Sequence, residues 1–341
     1  MKYLITGGAG FIGSHLADEL VSRGHDVCLL DDLSTGSIQN ISHLLKSDQV
    51  RFVEGNIMNF GLMEDLISEC DEIFHLAAVV GVHLILEKPV HTITTNVEGT
   101  QNVLKLAAKY GRKVLVASTS EVYGKVMETQ VHVDRLKEDG DWTLGATGKS
   151  RWSYACSKAM DEFLALAYYE EAGLPVVIAR FFNTVGPRQT GRYGMVIPNF
   201  IGEALSNKPI RVFGDGRQTR CFTAVSDAVR ASIDLMNTPE AIGQVFNIGS
   251  SHEISINDLA SRIKTLSGST SAIVHVPYEI AYAKGYEDMR RRTPDISKLK
   301  ETIGYHPTYS IDDIICEILH HREAHRFPKL QWRKEGAAAA S

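Results

Sequence analysis

The glycine-rich stretch TGGAGFIGS, residues 6–14, restricts the possible fold more than any other part of the sequence. It follows the strand-like run KYLIT and precedes an amphipathic segment that predicts a helix over residues 11–23. Gly7, Gly10 and Gly13 have the spacing G-x-x-G-x-x-G, which permits a tight turn and a close approach of the backbone to a ligand. The N-terminus of the following helix offers N–H groups to a pyrophosphate. The stretch therefore predicts a nucleotide-binding strand–loop–helix unit.

Short β-branched runs alternate with amphipathic segments through the first half of the chain. The alternation predicts an α/β fold, a doubly wound parallel sheet of the Rossmann type with crossover helices on both faces. After Phe182 the pattern changes to Gly/Pro loops between helices, which indicates a smaller α/β substrate lobe folded over the sheet's ligand edge. The predicted strands cover residues 2–6, 26–30, 50–54, 71–76, 114–117 and 176–181, and the predicted helices cover 11–23, 96–110, 153–172, 197–206 and 225–237.

These patterns predict three parts. We expect a nucleotide-binding domain over residues 1–182, to which some later segments return. A nucleotide-sugar-binding lobe mainly over residues 183–330 should follow, and residues 331–341 read as a tail.

Composition narrows the possible partners. A formal charge of −5 and a pI near 6.2 give no basic field to attract nucleic acid or an anionic membrane. The five cysteines are scattered without a C-x-x-C pair, which argues against a disulfide framework and against a metal site. The sequence shows neither a leader nor an apolar run of membrane-spanning length. We therefore expect a cytoplasmic protein without a metal and without nucleic-acid or membrane partners.

The second predicted strand, DVCLLDD, ends in acid, and Asp31 is placed to accept hydrogen bonds from the hydroxyls of an adenosine ribose. A 2′-phosphate would meet a like charge there, and the following DLSTGS contains neither Arg nor Lys. The sequence therefore predicts NAD rather than NADP as the cofactor. Two further segments are candidate cofactor contacts, although both also suit simple packing: Asn56 and Ile57 beside the adenine, and Leu76, Ala77 and Ala78 where a dinucleotide crosses the sheet.

The segment SYACSK places Tyr154 and Lys158 four residues apart, on one face of a predicted helix. A nearby ammonium and a cationic nicotinamide ring both favour the phenolate, so Tyr154 is a candidate general base. By itself this spacing is most often an exposed helix pair. The glycine loop and the Thr/Ser cluster one strand earlier make the catalytic interpretation the better one.

Four motifs in this order, TGGAGFIGS, STSEVYG, YACSK and RFFNTVGPR, together resemble the extended short-chain dehydrogenase/reductase family, from Lys2 to about Arg322. Its members include NAD-dependent nucleotide-sugar epimerases, dehydratases and decarboxylases. The resemblance implies that Tyr154 takes the proton of the sugar C4 hydroxyl while hydride passes to NAD, that Lys158 binds the nicotinamide ribose, and that Thr119 bonds the C4 oxygen.

The resemblance also implies the remaining contacts and the assembly. A homodimer through the helices near residues 96–110 and 153–172 is expected. The implied catalytic neighbours are Ser120 and Glu121, and the implied cofactor contacts include Phe11, Ile12, Asn96, Ser118 and Phe181. The implied contacts to the UDP-sugar are Asn183, Val196, Phe213, Arg220, Arg292 and Asp295.

The residues around Glu121 and three further segments help to distinguish between the possible reactions. The segments TSE, KSRWSYACSK and GYEDMRRRTPDISK resemble UDP-glucuronate decarboxylases, whereas NTVGPRQTGRYGMVIP is closer to 4-epimerases, including those acting on UDP-hexuronates. Ser120 stands where dehydratases have an aspartate, which argues against dehydration. Glu121 would position a water or the Tyr154 and Thr119 hydroxyls, or else cap the backbone of a turn.

Decarboxylases and 4-epimerases of UDP-hexuronates must hold the sugar carboxylate in different ways. A 4-keto uronate is a β-keto acid that loses carbon dioxide readily, so an epimerase must clamp the carboxylate out of alignment. Arg188 and Arg192 are candidates for that clamp. We favour a UDP-hexuronate 4-epimerase that converts UDP-glucuronate to UDP-galacturonate, with a UDP-glucuronate decarboxylase as the alternative. A UDP-glucose 4-epimerase and a non-catalytic NAD-binding regulatory protein are weaker alternatives, the last because Tyr154 and Lys158 are both present.

Overall fold

The computed structural model describes residues 1–81, 87–130, 132–149, 151–191, 195–278 and 289–326. Its centre is a seven-stranded sheet in which every neighbouring pair is parallel. The spatial order is β11-β6-β5-β4-β1-β2-β3, so the order reverses beside β1. The strands are β1 (Lys2–Thr6), β2 (Asp26–Asp31), β3 (Val50–Glu54), β4 (Glu72–His75), β5 (Lys113–Thr119), β6 (Val176–Phe181) and β11 (Gln244–Ile248).

Helices cover both faces of this sheet, and each face has its own apolar core because the strands are buried on both sides. One core lies against α1 (Phe11–Ser22) and α7 (Val225–Met236). The other lies against α2 (Phe60–Glu69), α3 (Pro89–Tyr110) and α5 (Arg151–Ala172). The predicted doubly wound parallel sheet of the Rossmann type is thereby confirmed.

A smaller lobe with its own apolar core follows the sheet's carboxyl edge. Its helices are α6 (Val196–Leu205), α8 (Ile256–Leu266) and α10 (Ile311–Arg326). Its short strands form three pairs: β7 (Thr184–Val185) with β10 (Thr223–Ala224), β8 (Ile210–Phe213) with β13 (Ile273–Val276), and β9 (Thr219–Cys221) with β12 (Glu253–Ser255). Two short helices complete the described chain, α4 (Val126–Thr129) and α9 (Ser297–Ile303).

Among the elements that the sequence predicts, the structure differs most in α3, which begins at Pro89 instead of residue 96. The first two turns, PVHTITTN, are rich in β-branched residues with weak helix propensity, so their pattern does not indicate a helix. Pro89 occupies the first turn, where its missing N–H costs no hydrogen bond. The earlier start brings His91 and Thr95 to the ligand edge of the sheet.

Two further predictions concern the C-terminal residues and membrane-spanning helices. Residues 331–341, predicted as a tail, lie outside them. Within the described ranges, none of the helices combines the length and the apolarity needed to cross a membrane.

Candidate active site

A cavity of about 580 Å³ lies between the carboxyl edge of the main sheet and the smaller lobe. Ligands of open α/β sheets bind at this edge, where the strand order reverses. The cavity runs from the glycine loop after β1, past the end of β5, to α6 and β8 of the smaller lobe. Both halves of the chain therefore contribute to one elongated site.

The glycine loop forms the floor of one end. Gly7 has φ +72°, a left-handed conformation, and a Cβ on it would lie 2.9 Å from the backbone nitrogen of Ala77. A Cβ on Gly13 would lie 2.3 Å from the Gly7 carbonyl oxygen. The crevice thus depends on glycine at both positions. It places the N-terminus of α1 beside the cavity, which fits the pyrophosphate of a dinucleotide.

Asp31, at the end of β2, is buried and lines the same end of the cavity. Its carboxylate accepts hydrogen bonds from the backbone N–H groups of Ala9 at 3.0 Å and Leu33 at 2.8 Å. Burial raises the pKa of Asp31, and these N–H groups oppose the rise. The contacts fix the carboxylate at the cavity wall, where it suits ribose hydroxyls. Nearby, Asn56 donates to Asp32 at 2.7 Å.

Tyr154 and Thr119 meet in the middle of the cavity. Tyr154 projects from the first turn of α5 and is 8% exposed, and Thr119 ends β5. Burial raises the pKa of Tyr154 well above its ordinary value, Glu121 raises it further, and a hydrogen bond with the Thr119 hydroxyl lowers it. Together these effects keep the phenol protonated. A positive charge near the phenol, from the Lys158 ammonium or from a cationic ligand, favours the phenolate and so the activation of Tyr154 as a base.

Glu121 lies in the one-turn helix Ser120–Tyr123 that follows β5. Its Oε1 is 2.8 Å from Nη1 of Arg292, and its Oε2 is 3.3 Å from Nη2 of Arg151. Burial alone would raise the pKa of Glu121, but the two guanidinium groups outweigh it and lower the pKa to about 2. Glu121 is therefore a permanent carboxylate at neutral pH, unable to donate a proton.

The loop that carries Arg292 is held on both sides. Arg291 pairs with Glu253 of β12 at 2.7 Å, and the Thr293 hydroxyl donates to the same carboxylate at 2.7 Å. The Thr293 carbonyl accepts from the N–H of Leu136 at 2.8 Å. These contacts fix the backbone next to Arg292, whose side chain is buried and also donates to Ser120 at 3.3 Å.

A second ion pair anchors the helix that bears Tyr154. Glu162 of α5 accepts two hydrogen bonds from Arg180 of β6, at 2.9 Å from Nε and 2.7 Å from Nη2. It also accepts from the hydroxyl of Ser118 on β5. Since all three side chains are buried, the helix is fixed to the strands on which Thr119 and Phe181 lie.

The structure brings most of the predicted residues to this one cavity. Those at the cofactor end are Gly7, Gly10, Phe11, Ile12, Gly13, Asp31, Asn56, Ile57, Leu76, Ala77, Ala78, Ser118 and Phe181. Those in the middle and towards the smaller lobe are Thr119, Ser120, Glu121, Tyr154, Lys158, Asn183, Val196, Phe213, Arg220 and Arg292.

Three predicted contacts do not line the cavity. Asn96 lies behind its wall, where the side chain accepts from the N–H of Val79 at 2.8 Å, so it supports the loop instead of facing a ligand. Asp295 caps the start of α9 through the N–H of Ser297 at 2.9 Å. Arg188, predicted as a carboxylate clamp, pairs with Asp18 of α1 at 2.7 Å and borders a separate hollow beside α10.

Arg188 has φ +67°, in the left-handed region, and its side chain pairs with Asp18 instead of lining the cavity. Arg192, the other predicted clamp residue, lies outside the described residues.

Sequence reasoning missed Arg151, which contacts Glu121 and lines the cavity. A signal was present, because Arg151 precedes Tyr154 by three residues and therefore shares its helix face. Asp161 was also missed. It lies one turn after Lys158 and pairs with it at 2.6 Å.

The reversal of strand order, the glycine crevice and the Tyr154 and Lys158 pair define a protein of the extended short-chain dehydrogenase/reductase type. A family model described as GDP-mannose 4,6 dehydratase matches residues 4–318, and the chain belongs to that family.

Individual relatives have different reactions in their names. UDP-N-acetyl-alpha-D-glucosaminuronate decarboxylase of Bacillus cytotoxicus is 47% identical over 319 residues, 93% of this chain and 96% of that protein. UDP-glucuronic acid decarboxylase 1 of Xenopus tropicalis is 36% identical over 320 residues, 94% of this chain and 72% of that protein. The solved UDP-glucuronic acid 4-epimerase of Bacillus cereus, in complex with UDP-glucuronic acid and NAD, is similar with a TM-score of 0.84 and 29% identity, covering 95% of this chain and 100% of that one.

Proposed function

We propose that this chain is an NAD-dependent decarboxylase of a UDP-hexuronate, acting through a 4-keto intermediate. The observation on which the choice over 4-epimerisation rests is the 47% identity over 319 residues to a UDP-N-acetyl-alpha-D-glucosaminuronate decarboxylase. Of the two arginines of the GPRQTGR loop that could hold the sugar carboxylate in an epimerase, Arg188 is paired with Asp18 outside the cavity, and Arg192 lies outside the described residues. The name of the relative at 36% identity supports the same choice.

The cofactor end of the cavity fits NAD. Gly7 and Gly13 leave room for a pyrophosphate, and the Asp31 carboxylate disfavours a 2′-phosphate by charge repulsion. When bound, NAD would accept a hydride from the sugar C4 carbon and later return it, and its nicotinamide ring would bring a positive charge that favours the Tyr154 phenolate.

Tyr154 takes the proton of the C4 hydroxyl as that carbon is oxidised. The raised pKa of Tyr154 then favours the protonated phenol, which donates a hydrogen bond to the C4 oxygen. This hydrogen bond is important for the next step, in which the C5–C6 bond breaks and carbon dioxide leaves. The electron pair of the broken bond then forms an enolate, with negative charge on the C4 oxygen. Tyr154 and Thr119 are the donors placed to stabilise that charge. Protonation of C5 and reduction of C4 complete a UDP-pentose.

The charged cluster of Glu121, Arg292 and Arg151 lies beside these donors and has a net charge of one positive unit, since one carboxylate faces two guanidinium groups. We infer that it attracts the uronate carboxylate. Because Glu121 stays ionised, it orients the two arginines and does not supply the C5 proton.

The test is to incubate the purified protein with NAD⁺ and, separately, UDP-glucuronate and UDP-N-acetylglucosaminuronate labelled with ¹³C at C6. We expect labelled carbon dioxide or bicarbonate together with a UDP-pentose. Both products are detected by NMR. The 2-acetamido sugar should be tried first, because the relative at 47% identity has that substrate in its name. Formation of UDP-galacturonate or its 2-acetamido counterpart, with the label retained, would contradict the proposal.

That outcome would establish the second candidate, UDP-hexuronate 4-epimerisation. Its support is the sequence of the 183–198 loop and the similarity to the solved 4-epimerase. A UDP-glucose substrate is less well suited, because a neutral C6 hydroxymethyl group gives the positive cluster no anion to bind.

We also propose that the protein is a homodimer. Apolar side chains are exposed on neighbouring helices, Val90 and Ile93 on α3 and Met160 and Phe163 on α5. Phe163 is 58% exposed, and such a patch is a suitable surface for a second copy related by two-fold symmetry.

A further inference from the structure

Lys158 and Asp161 form a buried ion pair beneath the cavity. The Lys158 ammonium lies 2.6 Å from Oδ2 of Asp161, and the two side chains are 3% and 0% exposed. Lys158 lines the cavity, whereas Asp161 lies behind it. Among the described residues, Asp161 provides the carboxylate that contacts this ammonium. Since an unpaired buried charge is costly, the pair restricts where the Lys158 ammonium can lie.

The carboxyl group of Asp161 lies near Thr100 of α3, whose hydroxyl lowers the pKa of that carboxyl group. The Oδ1 of Asp161 is buried and makes no hydrogen bond to the described residues. Thr100 is itself buried and lies 3.0 Å from Nε2 of His75. When His75 donates to Thr100, the hydroxyl proton of Thr100 is available to the nearby Asp161 carboxyl group.

His75 ends β4 and continues the chain to β1. Its Nδ1 lies 2.8 Å from the Thr6 hydroxyl, which in turn accepts from the N–H of Ala77 at 3.2 Å. Burial lowers the pKa of His75 to about 3, with a further contribution from Lys158, so the ring is neutral. A single tautomer, with the proton on Nε2, then lets each group from Ala77 through Thr6 and His75 to Thr100 donate to the next.

This chain of hydrogen bonds runs from the cofactor end of the cavity to Thr100, which lies beside the Asp161 carboxyl group of α5. Thr6 directly precedes the glycine loop, and Ala77 lines the cavity. A displacement of Asp161 would therefore affect Lys158 on one side and the backbone after β4 on the other.

We propose that Asp161 is a positioning residue that fixes the Lys158 ammonium against the nicotinamide half of the cofactor, and that Thr100, His75 and Thr6 hold Asp161 in register with the cofactor crevice. The effect on turnover rests on the proposed function. The effect on the cofactor does not, because it can be measured without any sugar substrate.

The test compares Asp161→Asn with Asp227→Asn in the holoprotein. Asp227 is a matched control, since it is also buried in a helix and pairs with a cation three residues later, Arg230, at 2.6 Å, but it does not line the cavity. The NAD⁺ dissociation rate is measured by a chase with labelled NAD⁺, and the affinity for ADP, which lacks the nicotinamide half, is measured by calorimetry.

Asp161→Asn should release NAD⁺ roughly 3- to 10-fold faster with unchanged ADP affinity, whereas Asp227→Asn should change neither quantity. With an active substrate, kcat should fall roughly 10-fold or more for Asp161→Asn with little change in the KM for the UDP-sugar. Equal NAD⁺ release and kcat in wild type and Asp161→Asn would overturn the proposal.

A second variant keeps the proposal testable if Asp161→Asn does not fold. In that case Thr100→Val provides the test, because it removes the hydroxyl that lies between His75 and the Asp161 carboxyl group and keeps the shape of the side chain. It should release NAD⁺ faster than wild type, and an unchanged rate would overturn the proposal. If wild type converts no UDP-hexuronate, the proposed function is wrong, but the comparison of NAD⁺ release rates still tests the positioning role of Asp161.

Discussion

The carboxylate of Glu121 and the guanidinium group of Arg292 lie 2.8 Å apart in the cavity, although they come from different halves of the chain. The pair joins the end of β5 to the segment before α9, and together with Arg151 it gives this part of the cavity a net positive charge.

Glu121→Gln should lower kcat by about 10- to 100-fold with a small change in affinity for UDP, because the amide holds Arg292 and Arg151 less firmly. Since the pKa of Glu121 is about 2, its ionisation should not shape the pH profile between pH 5 and 9. Steady-state kinetics of both proteins across this pH range test the point. A profile whose acid limb disappears in the variant would show that Glu121 titrates in the working range.

Tyr154→Phe should reduce C4 oxidation by about 10²- to 10⁴-fold, because it removes the general base and leaves the diphosphate contacts. Formation of NADH on mixing the holoprotein with substrate measures the step, and calorimetry measures UDP-sugar binding. Tyr169→Phe, on the exposed side of the same helix, is the matched control and should behave as wild type. Near-normal turnover of the Tyr154 variant would remove this residue from the mechanism.

Arg188→Ala should leave the product and the KM unchanged while lowering thermal stability, because its guanidinium group pairs with Asp18 outside the cavity. Arg292→Ala should instead abolish turnover. The ratio of UDP-pentose to six-carbon product is read by NMR for each protein. A change in that ratio in Arg188→Ala would restore the carboxylate clamp that the structure argues against.

His75 should give the folded protein a distinct sensitivity to acid. Its pKa falls from 6.5 to about 3 on folding, so between these values the unfolded chain binds a proton that the folded chain does not. Stability from this group is therefore lost as the pH falls below 6.5, at about 1.4 kcal/mol per pH unit. His75→Asn should be less stable at pH 7 but lose less stability between pH 7 and 5, as urea denaturation will show. Parallel pH dependences in the two proteins would contradict a buried neutral imidazole.

Phe163→Arg should convert a dimer to a monomer, because it places a charge within the exposed apolar face of α5. Tyr309→Arg replaces an exposed aromatic residue away from α3 and α5 and should leave the dimer intact. Light scattering at micromolar concentration gives the mass of each. A monomeric wild type would end the dimer proposal.

Local chemistry in the sequence determined the strand–loop–helix unit at Gly7, the acidic end of β2 and the Tyr154 and Lys158 pair. These features could be predicted because each depends on residues within one helical turn or one strand, where sequence spacing alone fixes the geometry. The start of α3 was the exception, since packing of its buried face outweighs the weak helix propensity of PVHTITTN.

Only the tertiary structure decided which charges meet. Local sequence does not distinguish Arg188 from Arg292, but in the structure Arg188 pairs with Asp18, while Arg292 pairs with Glu121 on a loop that the contacts of Glu253 hold. Asp161 pairs with Lys158 one turn earlier in the same helix, but its neighbour Thr100 comes from α3 and meets it only through packing. The physical reason is that a long side chain is placed by the path of its loop and by partners distant in the chain, and neither is encoded in local spacing.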